Sequence, residues 1–312
     1  MRWLRNALGR GHAAATDYAR VPLFLDLHDL PLRPLSAFLV RGALVHGFIG
    51  ARLGLPHIQP LTFLLIRYSA VLCCMTLIAW FTRAPWPQTA RHWWHIGVAG
   101  LLVHGLYLGG VFMAISLGLP AGVASLVVGV QPLLTAIGAG YFLSVRVSAR
   151  QWLGLLLGLV GVALVLSGKL GLEFGAPALV PALVALLAIT AGTLYQKKFC
   201  PVFDWRTGSV AQFLPTTLLT GVAAALTENF RIDWSGELVF ALGWLVLVLS
   251  IGAVSLLNWL IRHSNAVNVA SLFYLVPPCT ALFAWALFGN TLSELALLGL
   301  GLTVWGVYLA RR

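Results

Sequence analysis

The sequence predicts an all-α polytopic membrane protein with ten transmembrane helices, arranged as two inverted five-helix repeats. Its composition, its regularly spaced apolar runs and an internal repeat support this prediction. Hydrophobic residues make up 60% of the 312 residues and charged residues only 9%, whereas charged residues make up about 25% of an ordinary soluble domain. So few charges cannot cover the surface of a soluble fold of this length, and we expect lipid to surround most of the chain.

Apolar runs follow one another along the whole chain, each about the length of a membrane-crossing helix, which is roughly 20 residues. They cover residues 35–54, 61–81, 95–117, 121–143, 151–168, 177–196, 208–226, 239–260, 267–288 and 292–310. Short breaks rich in Gly, Pro and charged residues separate them. The first run is the least regular, because Arg41 and His46 lie inside it.

The basic residues predict the orientation of these helices. Lys and Arg favour cytoplasmic loops, and a cytoplasmic N-terminus places ten of them in the inside connections and the C-terminal tail and three outside. The inside set is Arg83, Arg91, Arg146, Arg150, Lys197, Lys198, Arg206, Arg262, Arg311 and Arg312, and the outside set is Arg52, Lys169 and Arg231. We therefore expect both termini in the cytoplasm. The net charge of +11 is scattered along the chain in ones and twos, which indicates topology and not a nucleic-acid partner.

The chain divides into three parts. Residues 1–34 hold five Arg and three Asp and no continuous apolar run, so we expect a cytoplasmic N-terminal extension there and not a signal peptide. The first five predicted helices form a half at residues 35–172, and the last five form a half at 173–312.

An internal repeat relates the two halves. The stretch VASLVVGVQPLLTA at 123–136 resembles VASLFYLVPPCTAL at 269–282, which places Pro132 opposite Pro278. Because five is an odd number of crossings, the halves must enter the membrane from opposite sides. Inverted repeats of this kind are typical of secondary transporters, which bind substrate near the bilayer midplane between the halves.

Several stretches resemble the drug/metabolite transporter superfamily, EamA type. They are PLTFLLIRYSA at 60–70, YLGGVFMAISLGLPAGVASLVVGVQPLLTA at 107–136, RQWLGLLLGLVGVALVL at 150–166, GTLYQKKFC at 192–200, and VASLFYLVPP through GVYLA at 269–310. The resemblance implies a ten-helix carrier of the inner membrane that exports a small, amino-acid-like metabolite. Alternating access would be its mechanism, and small-molecule substrate and membrane lipids its partners. A homodimer is left open.

A second interpretation is a degenerate, non-transporting membrane protein that acts as an interaction partner. It is motivated by the irregular first helix and by two turns in which the family carries glutamate, because Val145 and Asn290 occupy those positions here. An enzyme is not expected. The sequence shows no catalytic constellation, no phosphate-binding GxxxxGK[ST] and no metal-ligand spacing, so we expect neither cofactor nor metal.

Polar residues within the apolar runs are the candidate site residues. We expect His104, Tyr107, Gln131, Gln212 and Tyr274 to line a central cavity and contact substrate. His104 and Tyr107 are three residues apart and would share one helix face. The alternative is a purely structural role, in which such residues join neighbouring helices by hydrogen bonds.

Three prolines and one arginine complete the candidate set. Pro132, Pro277 and Pro278 would break intrahelical hydrogen bonds and act as hinges for gating, or merely kink the helices. Arg67 would either fix the architecture or contact an anionic group such as a substrate carboxylate, because guanidinium presents a planar fork of donors.

Overall fold

Apolar segments of this chain form helices because, in lipid, each backbone N–H and C=O has to find its partner within its own segment. The computed structural model describes residues 53–167, 176–200, 203–253, 271–275 and 293–310. Every regular element within these ranges is a helix or a helical turn. All of them belong to a single unit, Ser36–Arg312.

Nine helices can be numbered in the described ranges. They are α1 Pro60–Phe81, α2 Ala90–Ser116, α3 Ala121–Val128, α4 Gln131–Phe142, α5 Ala149–Leu166, α6 Ala176–Phe199, α7 Trp205–Thr227, α8 Gly236–Trp244 and α9 Glu294–Ala310. Two stretches are π-helical, Leu101–Leu106 inside α2 and Leu245–Ala253 directly after α8. Leu272–Leu275 forms a 3₁₀ turn.

The described helices confirm a polytopic membrane fold. Five crossings are long and apolar enough to span a bilayer, namely α1, α2, α3 with α4, α6 and α7, and shorter apolar helices accompany them. The count of ten remains a prediction. The extension at 1–34, most of the first predicted helix at 35–54, Pro277 and Pro278 lie outside the described residues.

Side-chain caps start several helices at the predicted breaks. Ser148 and Gln151 form a reciprocal capping box at the start of α5, which satisfies two backbone donors at once. The carboxylate of Asp204 accepts from the backbone N–H of Arg206 and so caps α7. Polar residues in the loops therefore fix where the apolar helices begin.

Two helix pairs form the extended contacts of the bundle. Helix α1 packs along α7, and α5 packs along α9, while α6 lies against α2 and α4. Large apolar side chains cover the outward faces, with Trp80, Leu187, Leu218 and Trp305 each more than half exposed. Exposed apolar faces of this kind are typical of helices that contact lipid or another protein.

Loop contacts join the start of α1 to the connection between α7 and α8. The carboxylate of Glu228 accepts from the backbone N–H groups of Leu61 and Thr62 at 2.8 and 2.7 Å, and so caps α1 from another helix. Beside it, His57 lies 3.3 Å from Asp233 and 3.5 Å from Glu237. These contacts close one end of the α1–α7 pair.

Candidate functional site

The two π-helical turns mark the irregular part of the membrane-spanning helices. π-Helical turns are rare and frequently occur at functional sites. The first holds His104 and the second holds Ser250. In the ten-helix count predicted from the sequence, α2 and α8 are the third and eighth crossings, which correspond to each other in the two halves.

Adjacent residues of α1 contact both turns. The hydroxyl of Tyr68 donates to the backbone carbonyl of His104 at 2.7 Å, and so satisfies an acceptor in the irregular turn. The guanidinium of Arg67 donates from Nε and Nη2 to the hydroxyl of Ser250, at 3.1 and 3.0 Å. Arg67 is only 1% exposed, and its Nη1 has no hydrogen-bond partner among the described residues.

A second chain of hydrogen bonds runs from α2 through α7 to α6. His104 Nε2 lies 3.4 Å from the side-chain oxygen of Gln212, and the Gln212 nitrogen donates to the side-chain oxygen of Gln196 at 3.4 Å. The His104 ring stacks on Phe213 with centroids 4.4 Å apart. Gly100 makes this possible, because a Cβ there would lie 2.5 Å from Cα of Gln212.

We call the group formed by Arg67, Tyr68, His104, Gln212 and Ser250 the polar cluster. All five residues are buried in the structure. The group carries one permanent cation and hydrogen-bonding groups of both kinds, surrounded by apolar helices. Such an arrangement can bind the charged and polar parts of a small solute.

The crossing formed by α3 and α4 is broken at its middle. Helix α3 ends at Val128 and α4 begins at Gln131, so Pro132 lies in the first turn of α4 and not in a helix interior, where it would kink the helix. At that position the missing N–H of proline costs little. Both side-chain polar atoms of Gln131 are buried and have no partner among the described residues.

Thr135 lies one turn beyond Gln131 on the same helix. Other buried threonines in helices, such as Thr190 and Thr216, donate to the carbonyl four residues earlier. The buried Thr135 hydroxyl has no described partner. Buried polar atoms without partners are costly, so this face of α4 is a second place where a polar ligand would be accommodated.

The remaining candidate residues, Tyr107 and Tyr274, lie among apolar neighbours. Tyr107 belongs to a buried cluster with Val128, Ala185 and Ile189, whereas His104 contacts Gln212 of α7. The shared helix face of His104 and Tyr107 stays a prediction. Tyr274 packs with α5 and α9, in contact distance of Gly158, and its buried hydroxyl has no described partner.

The described His, Cys, Asp and Glu side chains form no metal site. Across the described ranges, no three His, Cys, Asp or Glu side chains are arranged to hold a metal ion. Burial raises the pKa of the Cys200 thiol, at the end of α6, to about 12, so that thiol is protonated and inert at neutral pH.

The model of the EamA-like transporter family matches residues 36–167 and, a second time, residues 176–312. The chain belongs to the EamA-like transporter family. It is therefore a multi-pass membrane protein of a transporter family, as the resemblance implied.

Curated relatives of this EamA chain carry transporter names. An Escherichia coli protein named uncharacterized inner membrane transporter YedA is 27% identical over 67% of this chain and 68% of its own. A Salmonella typhimurium protein named probable amino-acid metabolite efflux pump is 26% identical over 84% of this chain and 89% of its own. A solved crystal structure aligns with a TM-score of 0.71 at 17% identity, covering 88% of this chain and 95% of the other, which shows a shared fold.

Sequence reasoning missed three members of the site in this EamA chain. Tyr68, Thr135 and Ser250 are polar residues inside predicted helices, but nothing in the sequence distinguishes them from the other hydroxyl-bearing residues there. A tyrosine beside an intramembrane arginine was the available signal for Tyr68, since both side chains need polar partners in lipid.

Proposed function

We propose that this EamA chain is a secondary carrier that moves a small, amino-acid-like metabolite out of the cell by alternating access. The observation that carries the proposal is the polar cluster, a buried cation and a hydrogen-bonded histidine inside an apolar bundle. Intramembrane ionisable groups are expensive and commonly mark a solute pathway. A relative named as an amino-acid metabolite efflux pump supports the substrate class and the direction.

The carrier would consist of the two inverted halves, residues 35–172 and 173–312. Support comes from the two separate matches of one family model, at 36–167 and 176–312. Helices at corresponding positions of the predicted halves also pack together, α1 with α7 and α5 with α9. A two-fold relation in the membrane plane would produce such pairs. We further propose that it lies in the inner membrane with both termini in the cytoplasm.

In this proposal the solute contacts the polar cluster and the broken crossing. His104 and Gln212 would supply hydrogen bonds on one side, and Gln131 on the other, with Tyr107 packed beside the break at Val128. Tyr274 would contribute its hydroxyl, which has no partner among the described residues, from the α5–α9 side. Pro132, at the start of α4, would let the two halves of that crossing change their angle, with Pro277 and Pro278 in the equivalent role.

Transport by the purified protein in proteoliposomes tests this function. Vesicles loaded with unlabelled L-amino acids should accumulate a radiolabelled L-amino-acid mixture by exchange, above the level of empty vesicles. His104→Ala should reduce this flux at least about tenfold, the effect of losing one buried hydrogen-bonded contact of about 1.4 kcal/mol. His92→Ala is the matched control, because His92 is exposed at the start of α2.

Wild-type flux equal to that of empty vesicles would contradict an amino-acid-like substrate. Equal flux in wild type and His104→Ala would remove His104 from the solute pathway.

A further inference from the structure

Arg67 is a buried cation that the described protein does not neutralise. It lies in the second turn of α1 and is 1% exposed. Its hydrogen-bonded partner is a neutral hydroxyl, that of Ser250. A charge held in this way within the membrane is unfavourable unless an anion joins it.

The structure describes five carboxylates, and each of them has another partner or lies at the end of a helix. Asp204 pairs with Arg206 at 2.8 Å, and Glu228 caps α1. Asp233 and Glu237 lie beside His57, and Glu294 lies in the first turn of α9. Within the described ranges, Arg67 therefore has no protein anion as a partner.

The hydrogen-bond donors of Arg67 that Ser250 does not engage define the kind of ligand that would fit beside it. A guanidinium presents two edges of paired N–H groups, and Ser250 occupies the edge formed by Nε and Nη2. The other edge consists of Nη1, which has no partner among the described residues, and the second hydrogen of Nη2. Two parallel donors at this spacing match the two oxygens of a carboxylate.

We propose that Arg67 anchors the carboxylate of the carried solute, so that the protein selects carboxylates over the corresponding amides and amines. This proposal rests on the carrier function proposed above. The solute class would include zwitterionic amino acids and simple organic acids, because both carry a carboxylate that can pair with the guanidinium. Ser250 is the positioning residue, since its hydroxyl fixes the guanidinium and leaves the second edge open.

Thermal unfolding of the detergent-solubilised protein with matched ligands tests the proposal. The ligands are L-amino acids, the corresponding L-amino-acid amides, sodium acetate and acetamide, with sodium chloride as the ionic-strength control. Carboxylates should raise the unfolding temperature of the wild type, and amides and chloride should not. Arg67→Gln should weaken carboxylate binding at least about tenfold, and Arg67→Lys by less, because lysine keeps the charge but loses the fork.

Arg146→Gln is the matched control, since it removes one exposed cation from a loop between α4 and α5. Its carboxylate response should equal that of the wild type. If Arg67→Gln does not fold, the acid–amide comparison in the wild type still decides. Equal responses to acids and amides, or no response to any carboxylate, would overturn the proposal.

The same ligands in proteoliposomes separate the two proposals. If carboxylates bind in a way that depends on Arg67 but are not transported, the carrier proposal is refuted and the proposal of an anion site stands. Flux that is equal for acids and amides would keep the carrier and refute the anion site.

Discussion

The facing residues of α5 and α9 and the residues of the polar cluster are all buried, but they are held together by different forces. Between α5 and α9, which we call the glycine seam, backbones touch. A Cβ on Gly306 would lie 2.6 Å from the carbonyl oxygen of Gly154, and a Cβ on Gly299 would lie 2.6 Å from that of Gly161. The polar cluster instead joins α1, α2, α7 and the π-helical turn after α8 by single side-chain hydrogen bonds of 2.7–3.4 Å.

Because of this difference, we expect the contact between α5 and α9 to be fixed and the contacts of the polar cluster to be changeable. Close-packed small residues leave no alternative arrangement, because any displacement opens or overfills the contact. Side-chain hydrogen bonds at a π-helical turn can be exchanged for bonds to a solute at little net cost. We therefore expect the glycine seam to hold the fold and the polar cluster to change during transport.

The largest effect on stability should come from the glycine seam. Gly306→Ala places a methyl group against the backbone of Gly154 and Gly158, and overpacking of this kind costs about 1–3 kcal/mol. We expect a lower unfolding temperature and a lower yield of monodisperse protein in detergent. Gly301→Ala on the same helix is the control, because no atom of the described residues lies within 4 Å of a Cβ there. Equal stability of the two variants would show that the seam is not tightly packed.

Tyr68→Phe should have an intermediate effect on stability. It removes the donor to the His104 carbonyl, and leaving a buried acceptor unsatisfied costs about 1–3 kcal/mol. Amino-acid exchange in vesicles should also fall, because the π-helical turn that carries His104 loses its anchor. The control is Tyr141→Phe, since Tyr141 is 84% exposed. A fully active Tyr68→Phe variant would mean that the turn needs no support from α1.

The smallest effect on stability is expected for Thr135→Val. The Thr135 hydroxyl has no described partner, so its isosteric replacement should leave the free energy of unfolding unchanged or raise it by up to about 1 kcal/mol. Exchange of labelled amino acids should nevertheless slow if this hydroxyl contacts the solute. Thr190→Val is the comparison, because Thr190 donates to a carbonyl in its own helix. A large loss of stability in Thr135→Val would indicate a structural hydroxyl.

Hydrophobicity predicted the helices of the described ranges, and it left out the features that form the candidate site. The runs predicted at 61–81 and 208–226 are found as Pro60–Phe81 and Trp205–Thr227, because apolar length and polar breaks determine both. The π-helical turn in α2 leaves the apolar pattern unchanged, so it has no sequence signature, although it holds His104. Gln212 is among the predicted site residues, but its contact with His104 depends on tertiary packing at Gly100.

The remaining prediction of function depends on whether the polar cluster opens during transport. Ser250 and Thr303 give a matched pair, because each is 0% exposed, one in the polar cluster and one in the glycine seam. In a variant without the four native cysteines, Ser250→Cys and Thr303→Cys would be treated in proteoliposomes with a hydrophilic methanethiosulfonate reagent. Alternating access predicts modification of the cysteine at position 250 at least about tenfold faster than at 303, and slower modification when the L-amino-acid mixture is present. Equal and negligible rates at both positions would contradict a carrier that opens at this cluster.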